Sequence, residues 1–125
     1  MDQVNTSSRV PAQTIAALIA DAFKAIGLPA ADAAKCAELM LEADLTGADA
    51  HGVFRLPQYI KRLRGGGVNS KPDIRVEKTA AATALVDGDN GMGHLVMARA
   101  AETAIELARD AGIGLPCRRC DLTVP

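Results

Sequence analysis

The sequence predicts a mixed α/β fold, in which a helical N-terminal subdomain is followed by the start of a strand–helix layer. Three observations predict it. Apolar residues recur at helical spacing over 15–26 and again over 33–41. The run Gly65-Gly66-Gly67, followed by Asn69 and Pro72, interrupts the chain, because glycine there costs backbone entropy that a packed element would not spend. Beyond it, two short alternating stretches give way to a further helical pattern. The helical subdomain is placed at 1–66 and the strand–helix part at 67–114.

The first helix rests on the stripe Ile15, Leu18, Ile19, Ala22, Phe23 and Ile26, with Thr14 near its start and Gly27 as a left-handed stop. After the turn Leu28-Pro29, a second stripe comprises Ala33, Cys36, Ala37, Met40 and Leu41, and Asp32 lies in the first turn, where it favours the positive end of the helix dipole. The stretch Thr46 to Gly52 breaks the period. It reads as a loop and one short helical turn, then a helix begun by Pro57 and closed by Gly65. Ile74 to Thr79 alternates like a half-exposed strand, and Ala84 to Asp87 reads as a second strand ending in the turn Gly88-Asp89-Asn90-Gly91. From His94 to Ala111 the pattern is helical again, with Met97, Ala98, Ala101, Ala104, Ile105 and Ala108 on one face and Gly112 as the stop.

Composition limits the function classes. The 125 residues match one domain, and 49% hydrophobic with 23% charged residues is a globular composition, neither disordered nor collagen-like. A net charge of -1 gives no long-range attraction for a polyanion. Phe23, Phe54 and Tyr59 lie too far apart in sequence for a base-stacking platform, so no nucleic-acid partner is expected. No stretch supplies the ~20 apolar residues of a bilayer span, and the N-terminus lacks a basic stretch followed by an apolar run. The expectation is a cytoplasmic protein with no membrane partner. Cys36, Cys117 and Cys120 are odd in number, which speaks against a disulfide framework.

Chemistry concentrates at His51, in the loop Asp44 to Arg55. If the turn after it is helical, Arg55 falls four residues on and on the same side, a spacing suited to gripping a carboxylate while the imidazole moves a proton. Tyr59, another four residues along, would add a phenolic donor, with Pro57 interrupting the alignment. Spacing alone favours a plainer reading, in which His51 caps a helix and Arg55 makes a surface ion pair. Gly88, Gly91 and Gly93 give G-x-x-G-x-G and not the dinucleotide order, so a tight turn entering a helix is expected, with His94 an N-terminal helix residue and not a ligand. Cys117-Arg118-Arg119-Cys120 lacks a second half, so no metal site is expected. Met92, Met97 and Ile105 are assigned to packing.

Taken in order, Ala43 to Ile60 around Ala50-His51-Gly52, then Gly67-Val68-Asn69, Leu85 to Gly93, and Ala108 to Gly114 form a pattern that resembles the malate/L-lactate dehydrogenase family of NAD(P)-dependent oxidoreductases. That family also includes ureidoglycolate, sulfolactate and cyclic-imine-acid reducing members. The resemblance implies a fold unlike the Rossmann dehydrogenases, with 67–114 beginning the nucleotide-binding part, and homodimers whose subunits share the active-site region. It implies hydride transfer between NAD or NADP and a small 2-hydroxy or 2-oxo acid such as malate or lactate. His51 matches the histidine that moves the proton, Arg55 the arginine that binds the substrate carboxylate, and Tyr59 a substrate-pocket tyrosine. The cofactor-binding residues are not assigned.

Two departures accompany the resemblance. Ala50 stands where many relatives have serine, so no hydroxyl precedes the histidine. The likeness ends at Gly114, which makes 115–125 a divergent tail and the chain an apparently truncated member. The alternative from another class is a non-catalytic helical module acting through a partner surface.

Overall fold

The computed structural model describes residues 9–119. Helix α1 (Ala12–Ala25) starts directly after Pro11, whose carbonyl accepts the Thr14 amide at 3.0 Å. No side chain caps it, so Thr14 lies inside the helix instead of opening it. Gly27 takes the expected left-handed conformation, φ +98, and turns the chain into α2 (Ala30–Leu45). Ile19, Phe23, Leu28, Ala33, Cys36, Ala37 and Met40 are buried in the core that α1 and α2 share. Leu18, expected on the buried stripe, is 55% exposed. It flanks Ile19 on the outer side, and the stripe narrows to Ile15, Ile19, Phe23 and Ile26.

Burial pushes the Cys36 thiol up to about 12, and the negative charge of Asp32 adds to the effect. A thiol held neutral is a poor nucleophile. With a thiol-alkylating reagent on the native chain, Cys36 is expected to stay unmodified while exposed Cys117 reacts. Peptide mass mapping checks this; comparable labelling of both would contradict the burial.

After two short 3-10 turns, Asp49–His51 and Val53–Arg55, α3 (Leu56–Arg64) runs to Gly65. Strand β1 (Arg75–Ala80) pairs antiparallel with β2 (Thr83–Asp87), with Val76 opposite Val86. Helix α4 (Gly93–Ala111) follows and ends at left-handed Gly112, φ +77. A third strand, β3 (Leu115–Arg118), then pairs parallel with β2 in the sheet order β1-β2-β3. Residues 115–118 of the expected divergent tail are therefore a sheet strand. Gly114 makes the return possible, because a Cβ there would overlap the Ala104 carbonyl of α4.

The face of α4 differs from expectation. Leu95, Val96, Ala100, Thr103 and Leu107 are buried, whereas Met97 and Ile105 are 59% and 56% exposed. The helix is apolar on more than one side, so periodicity alone does not say which side is covered. Thr103 hides the buried stripe in the sequence. Its hydroxyl is satisfied within the helix, donating to the Arg99 carbonyl at 2.9 Å. Met92 and Leu95 join the core of the helical part, while Val96 and Ala100 pack on Val86. The start of α4 is thus wedged between helices and sheet, beside α3.

Candidate functional site

The loop carrying His51 is shaped by the end of α2. Left-handed Gly47, φ +82, stops the helix, and the Thr46 hydroxyl donates to the Glu42 carbonyl at 2.8 Å. Asp44, in the last turn of α2, reaches forward and accepts the Val53 amide at 2.9 Å through Oδ2. Between the two 3-10 turns Gly52 is buried and extended, φ -86 and ψ -150, and a Cβ on it would overlap the Asp44 carboxylate. The glycine after His51 therefore has a steric reason: it lets a carboxylate clamp the loop. Sequence reading passed over Asp44. Its signal is a helix-terminal acid nine residues before an amide that needs an acceptor.

Gly52 also corrects the helical alignment expected for His51 and Arg55. The extended residue splits the segment, so the two side chains sit on successive 3-10 turns and not on one helix. The chain folds back enough to bring the Arg55 guanidinium to the backbone beside His51. Arg55 Nε donates to the carbonyl of Ala50, the residue next to His51, at 2.8 Å, and Nη1 donates to Gln58 Oε1 at 2.7 Å. Both acceptors are neutral, and no carboxylate pairs with Arg55 among the described residues. The surface ion pair expected on the plainer reading is not formed. Nor does His51, exposed at the end of its turn, cap a helix with its side chain.

Pro57 does not interrupt the run toward Tyr59. Arg55 and Leu56 are already right-handed helical, and Pro57 lies in the first turn of α3, where its missing N–H is not required. Tyr59 is half-buried and meets His94 edge-to-face, with ring centroids 5.2 Å apart at 83°. His94 is the second residue of α4, as expected, but it is also part of this cluster. Its Nδ1 is buried without a hydrogen-bond partner.

Burial, and secondarily the neighbouring His51 imidazole, lowers the His94 pKa from its ordinary 6.5. The unfolded chain then binds more protons than the folded one as pH falls through that region, so stability falls on acidification. Thermal unfolding followed by circular dichroism from about pH 7.5 to 5 should show this loss, and His94→Gln should flatten it. An unchanged slope in His94→Gln would contradict the assignment.

Tyr59 and His94 line a cavity of about 270 Å³ with Arg62, Val68, Asn90 to Gly93, and Arg118. His51 and Arg55 are not in its lining. The floor is the turn after β2. Asp89 and Asn90 have φ of +46 and +51, and the Gly91 amide donates to the Gly88 carbonyl at 2.8 Å, so the expected tight turn is of the primed kind. Asp89 Oδ2 accepts from Asn69 Nδ2 and from the Asp73 amide, both at 2.9 Å, tying the glycine-run linker to the turn. A Cβ on Gly88 would press on Val96, and one on Gly91 on Pro72. These two glycines serve close packing. Among the described residues no group of three His, Cys, Asp or Glu side chains could hold a metal, and Cys120 of the Cys-x-x-Cys pair lies outside them.

The sequence profile described as malate/L-lactate dehydrogenase matches residues 10–119. The chain belongs to the malate/L-lactate dehydrogenase family. An L-sulfolactate dehydrogenase of Methanocaldococcus jannaschii is 44% identical over 102 residues, covering 82% of this chain and 30% of that protein. A malate dehydrogenase of Pyrococcus horikoshii is 40% identical over 111 residues, 89% of this chain and 31% of that one. The solved malate dehydrogenase of Pyrococcus horikoshii superposes with a TM-score of 0.84 at 39% identity, covering 89% of this chain and 32% of its own. A solved delta1-piperideine-2-carboxylate reductase from Pseudomonas syringae does so at 0.81 and 31% identity, over 90% of this chain and 34% of its own. This malate/L-lactate dehydrogenase-family chain thus spans about 30% of the length of the curated relatives it matches. No described helix is long and apolar enough to cross a membrane.

Proposed function

We propose that the chain supplies the acid-binding and proton-handling part of a cytoplasmic, homodimeric dehydrogenase that uses NAD or NADP and a small 2-hydroxy or 2-oxo acid such as malate or lactate. The observation that carries this reading is the guanidinium of Arg55, anchored by neutral acceptors beside His51 and without a carboxylate partner among the described residues. A cation fixed in that way has donors left for an acid group. His51, one residue from the carbonyl that orients Arg55, exchanges the proton on the substrate oxygen. With Ala50 preceding it there is no serine hydroxyl to relay that proton, and exposed His51 exchanges it with water directly. Tyr59 offers a phenolic donor one turn beyond Arg55. The nicotinamide, when bound, supplies or accepts the hydride.

In an assay of NADH or NADPH oxidation with oxaloacetate and with pyruvate, Arg55→Ala should raise KM by about 10- to 100-fold through lost charged hydrogen bonds. His51→Ala should lower kcat by about 100-fold or more. Negligible effects from both substitutions would remove the proposed site.

A further inference from the structure

The cavity beneath Tyr59 lies beside the acid site but is built separately from it. Two arginines line it, Arg62 from the exposed side of α3 and Arg118 from the end of β3. Neither has a carboxylate partner among the described residues, and no carboxylate lines the cavity. Two like charges on one small hollow repel unless something negative lies between them. The remaining lining adds donors of the matching kind. Tyr59 contributes a phenol, and α4 begins at Gly93 with no side chain capping its free amides. Gly93 itself lines the cavity, and a Cβ on it would meet nothing within 4 Å.

We propose that this cavity is a binding site for one oxyanion group, a carboxylate, sulfonate or phosphate, held between Arg62 and Arg118 at the start of α4. The planar fork of each arginine suits such a group, and the helix dipole adds to the attraction. The site lies outside the Arg55 grip, so it accepts an anion other than the one that grip holds: a second acid group on the substrate or a phosphate of a larger ligand.

The chain reports on this site directly, because Tyr59 is its only tyrosine and it has no tryptophan. Tyrosine fluorescence of the 125-residue chain is titrated with sodium sulfate at constant ionic strength, balanced with sodium chloride. A saturable change is expected, with affinity reduced about tenfold or more in Arg62→Gln and in Arg118→Gln, and retained in Arg55→Ala and Arg64→Gln. Gly93→Asp, which places a carboxylate at the mouth, should abolish the change while circular dichroism shows the helices intact. Competition with malonate and with pyrophosphate separates the sources: stronger displacement by malonate points to a second acid group, and stronger displacement by pyrophosphate to a phosphate-bearing ligand. A response that does not saturate overturns the proposal, as does one of equal affinity in Arg62→Gln, Arg118→Gln and Gly93→Asp. Loss of the response in Arg55→Ala alone would assign the anion to the acid site and overturn a separate one.

Discussion

Gly52→Ala is expected to be the most damaging single substitution for the acid site. The added methyl would occupy the space of the Asp44 carboxylate, which accepts the Val53 amide at 2.9 Å. Either the carboxylate swings away and leaves a half-buried N–H unpaired, at about 1–3 kcal/mol, or the loop shifts. A displacement near 1 Å of His51 and Arg55 is enough to lower kcat/KM by roughly 100-fold. The stability loss is read by urea unfolding of the chain. A double-mutant cycle identifies the cause, since in an Asp44→Ala background the same methyl has no carboxylate to displace and should cost far less. Equal cost in both backgrounds would show that Gly52 is needed for some other reason.

The largest loss of stability is expected from Phe23→Ala. Phe23 is fully buried where α1 meets α2, among Ile19, Ala33, Cys36, Ala37 and Met40. Three of those five neighbours are alanine or cysteine, so little side-chain volume is available to fill the cavity. A cost of about 3–5 kcal/mol is expected, a large share of the 5–15 kcal/mol typical of a domain, with Tm falling by roughly 15 °C or more. The chain's other phenylalanine provides the control. Phe54 is 75% exposed, and Phe54→Ala should cost under about 0.5 kcal/mol. Similar costs for the two would contradict the packing described for α1 and α2.

The parts of the fold that local physics determines were legible in the sequence. The stripes of α1 and α2, left-handed Gly27 between them, buried Cys36, the two strands and the tight turn at Gly88 to Gly91 follow from side-chain period and backbone conformation. Other features depend on neighbours distant in the chain. Which face of α4 is covered is decided by β2 and α2, and a threonine satisfied inside the helix concealed the covered face. Leu115 to Arg118 alternates no more clearly than a tail, and becomes a strand because Gly114 lets the chain pass against Ala104 and reach β2. Within the candidate site, the sequence singled out His51, Arg55 and Tyr59, and the structure shows how Arg55 and Tyr59 are held. Asp44 was given no role and His94 was read only as an N-terminal helix residue, because their importance is a tertiary relation, one to an amide nine residues on and the other to a ring on α3. Pro57, which reads as a break, is harmless in the first turn of a helix.

The central claim is that Arg55 holds an organic acid against His51. The chain has two histidines, so NMR of the imidazole protons during a malate titration tests this directly, with His94→Gln assigning the two signals. Malate should shift the His51 resonance saturably, and Arg55→Ala should remove the shift. A His51 signal that malate leaves in place, or one that moves equally in Arg55→Ala, would contradict the account.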